Sequence, residues 1–338
     1  MYKNIFITGG SGVLGTSVIE KLHDFNLYCL VHSTPLKKDN VKTIIGDIRF
    51  PQLGLNDNDY IELCENIDLI VHMAALTNFN MSYEKISTTN VTGTLNVLKL
   101  AKDANVPLYH VSTAYVHNFN QEDSYITTGN GYETSKIEAE KYLCDSDIPI
   151  TVIRPSIILG DSKTGEIANE QGFHYITKLL LQNRIPIIPG DAEAKIDIVS
   201  QDYVANVISH LIRSNKAGGE FFVTLGNNAP NLEEVIHNII HSGIKITGQS
   251  LSIPKIVSGE MFDRLIKPVF LPKLPIQYRR EIKVALYMFK YINISGCLPS
   301  SMESLCNTFG MEEHRDIKEV IYNNVKYLVE NESLKATV

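Results

Sequence analysis

No stretch of the 338 residues stays apolar for long enough to cross a bilayer as a helix. The first residues, Met1 to Ile7, run straight into a strand-like pattern, with none of the basic-then-apolar character of a secretory leader. These absences predict a cytoplasmic protein without a membrane span. The five cysteines (Cys29, Cys64, Cys144, Cys297 and Cys306) are scattered and never form a C-x-x-C pair. That pattern excludes a disulfide frame and a zinc site, so reduced thiols and no metal are expected. Internal repeats and low-complexity segments are also missing. A net charge of −7 argues against a general nucleic-acid binder. What is present is ordinary globular composition, 44% hydrophobic and 20% charged, with enough chain to bury a full core. The length suggests about two domains, or one with an appendage, in a monomer or homodimer.

The first half alternates strand and helix. Lys3–Thr8 reads as a short apolar strand, followed by a glycine-rich turn and a helix over Val13–Leu22. Leu27–Val31, Thr43–Ile45, Leu69–His72, Leu108–Val111 and Ile150–Ile153 are further β-branched apolar runs. Between them lie helical patterns, notably Ser82–Ala104, where Val91, Leu95, Leu98 and Ala101 recur at helical spacing. Such alternation predicts an α/β fold, a Rossmann-type doubly wound parallel sheet covered on both faces. The core is placed at residues 1–160, its sheet completed by segments near 195–225. After about residue 160 the regularity fades and prolines punctuate a helix-rich region. Residues 161–338 are therefore assigned to a smaller, mostly helical substrate-binding region.

Thr8-Gly9-Gly10-Ser11-Gly12-Val13-Leu14-Gly15 directly follows the first strand and opens a helix. Side chains here would block both the tight turn and the approach of a pyrophosphate to backbone N–H groups, and the helix N-terminus adds partial positive charge. Two spacings fit, Gly10-x-Gly12-x-x-Gly15 and Gly9-x-x-Gly12-x-x-Gly15. Both read as a dinucleotide fingerprint in this strand–turn–helix setting. An acid after the second strand would bind the adenosine ribose. From Phe25 to Lys38 the only acids would have to come from elsewhere, since Leu30-Val31-His32-Ser33-Thr34 is followed by Lys37 and Lys38. Neutral or basic groups suit a ribose phosphate, so NADP(H) is favoured over NAD(H). Asp47, after the third strand, is a candidate partner for the adenine amino group.

Tyr132 and Lys136 stand four apart and hence on one helical face, where an ammonium can lower the tyrosine pKa toward useful acid–base range. The spacing alone is weak: among 16 tyrosines about one such pair arises by chance, and Tyr322 with Lys326 is a second copy. Order promotes the first copy. It follows the strand ending Val111-Ser112-Thr113-Ala114 and precedes the next strand, and ligands in such sheets bind outside the carboxyl ends of strands. A Thr113 hydroxyl would there share a substrate oxygen with Tyr132. His72 and His110 lie on strands and read as structural.

The ordered set TGGSGVLG, VHMAA, NVTGT, VSTAYV, YETSK and VIRPS resembles the extended short-chain dehydrogenase/reductase family over roughly residues 1–210. Within it, His72-Met73-Ala74-Ala75 with Phe79, His110–Val116, and the Gly160-Asp161-Ser162-Lys163-Thr164-Gly165 element look like the thioester reductase and fatty acyl-CoA reductase branch, the male-sterility type. The Asp161-Ser162 pair lies in polar loop sequence after a strand and is not read as a phosphopantetheine attachment site. The resemblance implies Thr113, Tyr132 and Lys136 as catalytic residues. It implies cofactor contacts at Gly9, Ser11, Gly12, Val13, Leu14, His32, Asp47, Ile48, Ala74, Ala75, Asn90, Tyr132, Lys136, Pro155 and Ser156. Two positions depart from the branch: His32 stands where an arginine is usual, and Ile137 where an aromatic often follows the lysine.

The resemblance further implies reduction of an acyl thioester, on a carrier protein or coenzyme A, to an aldehyde or onward to an alcohol. The alternatives are a nucleotide-sugar epimerase or dehydratase, a hydroxysteroid-type dehydrogenase, and a non-catalytic cofactor sensor. No carrier domain is recognisable in the sequence, so a carrier would act in trans. Residues 251–290 hold eight basic residues (Lys255, Arg264, Lys267, Lys273, Arg279, Arg280, Lys283, Lys290) against Glu260, Asp263 and Glu281. This stretch is either a solvated face or the docking surface for an acidic carrier protein.

Overall fold

The computed structural model describes residues 2–32, 36, 38, 40–77, 81–116, 130–273 and 296–335. Phe79, Ser33, Thr34, Lys37, Arg279, Arg280, Glu281, Lys283 and Lys290 lie outside the described residues. The chain divides into two compact units. The first comprises Met1–Ser156, Gln201–Thr224 and Pro299–Glu313; the second comprises Ile157–Ser200, Leu225–Leu298 and His314–Val338.

The first unit is built on strands β1 (Asn4–Thr8), β2 (Asn26–Val31), β3 (Val41–Ile45), β4 (Leu69–His72), β5 (Leu108–Val111), β6 (Ile150–Pro155) and β10 (Gly219–Val223). They form one sheet in the order β10-β6-β5-β4-β1-β2-β3, every neighbouring pair parallel. This is the expected Rossmann-type sheet. The chain steps outward from β1 to β3 and then returns to place β4 on the other side of β1. The carboxyl ends of β1 and β4 therefore flank a switch point, where open sheets of this kind take ligands. Residues of β4 and β5 are buried at every position, as strands covered on both faces must be.

One face is packed by helices α2 (Asp57–Asn66), α4 (Gly93–Asp103) and α5 (Gly131–Cys144). Tyr60, Leu63, Val97, Leu98, Ala101 and Leu143 join Phe6, Ile70 and Leu108 of the sheet in a single core. The periodic segment after Ser82 is not one regular helix. A short helix α3 (Tyr83–Ser87) passes through a π turn, Thr88–Thr92, into α4. The extra residue of the π turn shifts the helical phase, so Val97 is fully buried while Leu95 is only partly so. Helix α1 (Val13–Lys21) packs with α7 (Gln201–Arg213). Arg213 fastens the two ends, bonding Asp24 at 2.6 and 2.7 Å and the Lys21 carbonyl at 3.0 Å.

The second unit contains β7 (Ile157–Leu159) paired with β9 (Ile198–Ser200), and β8 (Ile187–Pro189) paired with β11 (Lys255–Val257). Around them lie α6 (Gly172–Leu181), α8 (Leu232–Thr247) and a helix over Ile317–Lys335. Helix α8 carries its own start and stop. Asn231 accepts from Glu234 N at 2.8 Å, the Glu234 carboxylate accepts from Asn231 N at 2.9 Å, and Gly248 closes the helix in the left-handed region. The Asp161–Gly165 turn is a structural clamp. Asp161 Oδ1 accepts from Lys163 N and Thr164 N, while Asn324 of the last helix accepts from Gly160 N at 2.8 Å. Among the described residues, no helix is long and apolar enough to cross a membrane.

Within the first unit one buried charge cluster ties α5 to the sheet. Arg154 of β6 bonds Glu140 of α5 through Nη2 at 2.6 Å and Glu220 of β10 through Nη1 at 2.6 Å, with its guanidinium over the Phe222 ring. Both Arg154 and Glu140 are buried. Removing the cation leaves a buried carboxylate without compensation, so Arg154→Met should cost about 3 kcal/mol or more. The double variant Arg154→Met/Glu140→Leu should recover much of that loss in urea unfolding. A double variant as unstable as the single one would mean that packing, not charge, dominates here.

Candidate active site

The glycine-rich turn is shaped by contact between backbones. Gly9 has φ +77°, and a Cβ there would lie 2.6 Å from Ala74 N, the first residues beyond β4. A Cβ on Gly15 would lie 2.2 Å from the Gly9 carbonyl, so the start of α1 rests directly on the turn. Gly12 is the N-cap of α1 and offers no side-chain cap, which leaves the first N–H groups of the helix available to an anion. Of the two readable spacings, Gly9, Gly12 and Gly15 therefore hold the turn, cap and packing positions. Gly10 is excluded from side chains for a different reason, its contact with the Cys29 sulfur.

From this contact a chain of hydrogen bonds runs across the sheet. Ala74 N donates to Thr8 Oγ1 at 3.3 Å, and Thr8 Oγ1 lies 2.7 Å from His72 Nδ1. His72 Nε2 lies 3.0 Å from Thr94 Oγ1, which donates to the Asn90 carbonyl at 2.7 Å. With the Thr94 proton committed to Asn90, the consistent tautomer of His72 carries its proton on Nε2 and accepts at Nδ1 from Thr8. Asn90 sits in the π turn. Its side chain accepts from Leu76 N at 2.8 Å and donates to Leu76 O and to Ser135 Oγ, both at 3.0 Å. Ser135 in turn donates to the Tyr132 carbonyl at 2.7 Å. Asn90 thus fastens the loop after β4 to the first turn of α5, a positional role in keeping with π turns at functional sites.

Helix α5 begins where its sequence says it should. Asn130 is the N-cap, accepting from Glu133 N at 3.0 Å, and Gly131 follows because a Cβ would strike Tyr83 N at 2.9 Å. Tyr132 therefore lies in the first turn and Lys136 in the next. Thr113, just beyond β5, is hydrogen-bonded through its side chain to Tyr132, and all three residues are buried. Burial raises the Tyr132 pKa well above the usual phenol value, the Thr113 hydrogen bond opposes the rise, and nearby Glu133 adds to it. The Lys136 ammonium donates to the Val111 carbonyl at 2.8 Å. Burial also brings Lys136 down to about 8, with Glu140 opposing. Tyr132 is thus held as a neutral phenol.

The cofactor contacts implied by the resemblance all lie in the first unit, most of them just beyond the carboxyl end of a strand, with Asn90 in the π turn and Tyr132 and Lys136 on α5. Ser11, Val13 and Leu14 follow β1; His32 follows β2; Asp47 and Ile48 follow β3; Ala74 and Ala75 follow β4; Pro155 ends β6, with Ser156 next. The structure fits a dinucleotide on two observations, the side-chain-free cradle at Gly9–Gly15 and the buried Ser156 hydroxyl, which has no hydrogen-bond partner among the described residues. Sequence reading missed the structural parts: Thr8, Thr94 and Ser135, and Arg49, whose side chain bonds Asp47 and reaches His32. The second tyrosine–lysine pair is unrelated. Tyr322 lies under the Lys245 ammonium, and exposed Lys326 faces Glu330. No group of three or more metal-ligating side chains occurs among the described residues.

Fold and site together define a dinucleotide-binding domain of the Rossmann class. The chain belongs to the male sterility protein family of NAD-binding domains, whose profile matches residues 31–208. A polyketide synthase–nonribosomal peptide synthetase, phmA, of Phaeosphaeria nodorum is 25% identical over 320 residues, covering 83% of this chain and 8% of that protein. The fatty acyl-CoA reductase wat of Drosophila melanogaster is 25% identical over 274 residues, covering 61% of this chain and 53% of that one. The chain thus spans less than two thirds of the length of these curated relatives. Among solved structures, the terminal R domain from the myxalamid PKS-NRPS biosynthetic pathway superposes with a TM-score of 0.79 at 23% identity, covering 99% of this chain and 92% of that one. At that identity the likeness speaks for the fold.

His110, beside His72 on the neighbouring strand with ring centroids 5.3 Å apart, has neither ring nitrogen bonded among the described residues. Burial, followed by the Lys136 charge, brings His72 down to about 3 and pushes His110 well below the usual value of 6.5. Each is neutral when folded and protonated when unfolded at mildly acidic pH. Unfolding therefore takes up protons, and stability falls as pH drops below about 6.5. His110→Leu should be no less stable than the parent at pH 7. Between pH 6 and 5 it should lose less, the difference in slope being about 1.4 kcal/mol per pH unit. Parallel stability–pH curves for the two proteins would show that His110 is not neutral in the fold.

Proposed function

We propose that this chain is an NADPH-dependent reductase of acyl thioesters, with Thr113, Tyr132 and Lys136 as its catalytic residues. The observation that carries this reading is the buried Thr113–Tyr132 hydroxyl pair at the carboxyl end of β5, with the Lys136 amine one helical turn behind. The relatives named above, a PKS-NRPS and a fatty acyl-CoA reductase, support the thioester as substrate. When bound, the reduced nicotinamide supplies hydride. The two hydroxyls hold the thioester carbonyl oxygen and stabilise the negative charge that develops on it. Tyr132 then gives its proton to that oxygen, producing a hemithioacetal. On collapse the carbon–sulfur bond breaks, the hydroxyl proton returns to Tyr132, and the thiolate leaves to be protonated as the aldehyde forms. Lys136 would hold the nicotinamide ribose, and its ammonium would supply positive charge near Tyr132 during the transfer.

The acyl group is carried by coenzyme A or by an acidic carrier protein that docks at residues 251–290. In the described part of that stretch Arg264 is paired with Glu260 at 2.7 Å and Lys267 with Asp263 at 2.8 Å, so Lys255 and Lys273 are left to attract such a partner. The solvated-face reading gains from this pairing. Which carrier serves is decided by comparing turnover of one acyl group as carrier-protein, coenzyme A and N-acetylcysteamine thioesters.

The function is tested by nicotinamide oxidation with that thioester panel, and by chromatography of the products with nucleotide sugars, whose epimerisation or dehydration consumes no net reductant. Turnover confined to nucleotide sugars would overturn the thioester reading in favour of an epimerase or dehydratase. Tyr132→Phe should lower kcat by about a hundredfold or more with nucleotide binding retained, while Tyr322→Phe leaves it unchanged. Equal effects would mean the wrong tyrosine has been assigned. Because Lys136 titrates near 8, kcat/KM should fall on the alkaline side of that value as the ammonium is lost. A profile flat to pH 9.5 would remove the charge on Lys136 from the mechanism.

A further inference from the structure

Among the described residues between β2 and β3, the basic groups are His32 and Lys38, and Lys38 is paired with Glu20 at 3.0 Å. The cation comes from the neighbouring strand. Val31 and Ile45 are partners in the parallel β2–β3 register, so the residues after them emerge side by side at the same sheet edge. Asp47 and Arg49 lie on a loop whose backbone is tightly closed: Asp47 N donates to Leu53 O at 2.7 Å, Phe50 N to Asp47 O at 3.1 Å, and Leu53 N to Phe50 O at 3.0 Å. Leu53 is fully buried although its φ is +59°, and Gln52 before it is at +53°. A non-glycine pair in this region is held only by its surroundings. Ile48 is anchored as well, packed where Gly93 leaves room.

On this fixed loop Arg49 is pre-oriented. Its Nε donates to both Asp47 oxygens at 3.0 and 2.9 Å, and its Nη2 donates to Asp47 Oδ2 at 2.6 Å and lies 3.3 Å from His32 Nε2. The side chains of Arg49 and His32 remain 44% and 58% exposed, while Asp47 is 13% exposed. The Nη1 amino group makes no hydrogen bond among the described residues. Asp47 thus has its charge balanced and its fork filled, and what the pair presents outward is a guanidinium edge with two free N–H groups beside an imidazole. Such an edge matches a phosphate monoester, whose oxygens accept paired N–H donors.

We propose that Arg49, braced by Asp47 and joined by His32, is the residue that reads the 2′-phosphate of NADP(H). This rests on the NADPH reading above and deepens it: the specificity-determining cation reaches the site from beyond β3, not from the end of β2.

The test uses the intact protein and two cofactor fragments that differ only in that phosphate, adenosine 2′,5′-bisphosphate and 5′-AMP, measured by calorimetry. The parent should bind the bisphosphate at least about tenfold more tightly. Arg49→Gln should abolish that preference while leaving 5′-AMP affinity unchanged, and His32→Ala should reduce it by a smaller factor. Arg49 is exposed enough that the variant's unfolding midpoint should stay within a degree or two of the parent's. If the parent prefers the bisphosphate and Arg49→Gln prefers it equally, Arg49 is not the reader and the NADPH reading stands. If both fragments weaken alike in the variant, Arg49 serves the adenine or the loop, and the proposal is overturned. If the parent shows no preference, the NADPH reading itself fails and takes this one with it.

Discussion

The whole site depends on one close approach, the backbone of the first glycine turn lying against the backbone just beyond β4. No side chain fits between Gly9 and Ala74. That contact brings Ala74 N within reach of the Thr8 hydroxyl, and Thr8 fixes the ring of His72. From there the hydrogen bonds pass through Thr94 and Asn90 to Ser135 and end on the Tyr132 carbonyl. The glycine turn and Tyr132 are therefore parts of one hydrogen-bonded arrangement. Their separation is set by polar contacts in the interior, where an unmade hydrogen bond is most costly.

A second constraint is dryness. Thr113, Tyr132 and Lys136 are all buried, and burial works against charge on each ionisable group. It keeps the tyrosine protonated and makes the lysine a weaker base than usual. The cluster formed by Glu140, Arg154 and Glu220 does the opposite, keeping its charges by pairing them directly. Helix α5 thus carries neutral or easily neutralised groups at its start and a fixed ion pair further along. That ion pair holds the helix on the sheet.

Local rules made much of this legible in the sequence. Glycines at Gly9, Gly12 and Gly15, apolar runs at strand spacing, and the order of Thr113, Tyr132 and Lys136 marked the sheet, the cradle and the hydroxyl pair. What stayed hidden depends on contacts between distant segments. The phase shift near Asn90 could not be seen, because a π turn keeps a helix-like pattern on either side and Leu95 still looks like a core position. Arg49 went unnoticed because its contact with His32 joins the ends of two neighbouring strands, which spacing along the sequence does not signal. The lysine's bond to Val111 was missed because spacing along a helix says which residues share a face, not which neighbour a flexible amine will choose. His110 read as structural, yet nothing in the sequence signals that both its nitrogens would go without partners.

The π turn at Thr88–Thr92 also bears on how this chain can change over time. It holds one residue more than the regular helix on either side would need, and each residue of a helix turns the chain by about 100°. Losing that residue would restore a regular helix and remove the local irregularity. It would also rotate Asn90 out of line with Leu76 and Ser135, so a length change that improves the helix disconnects the loop beyond β4 from the first turn of α5. Insertions and deletions in this segment are therefore closed to the protein even where the helix alone would tolerate them. An alignment that slides a gap into this turn would match Asn90 with a residue that has no part in the site.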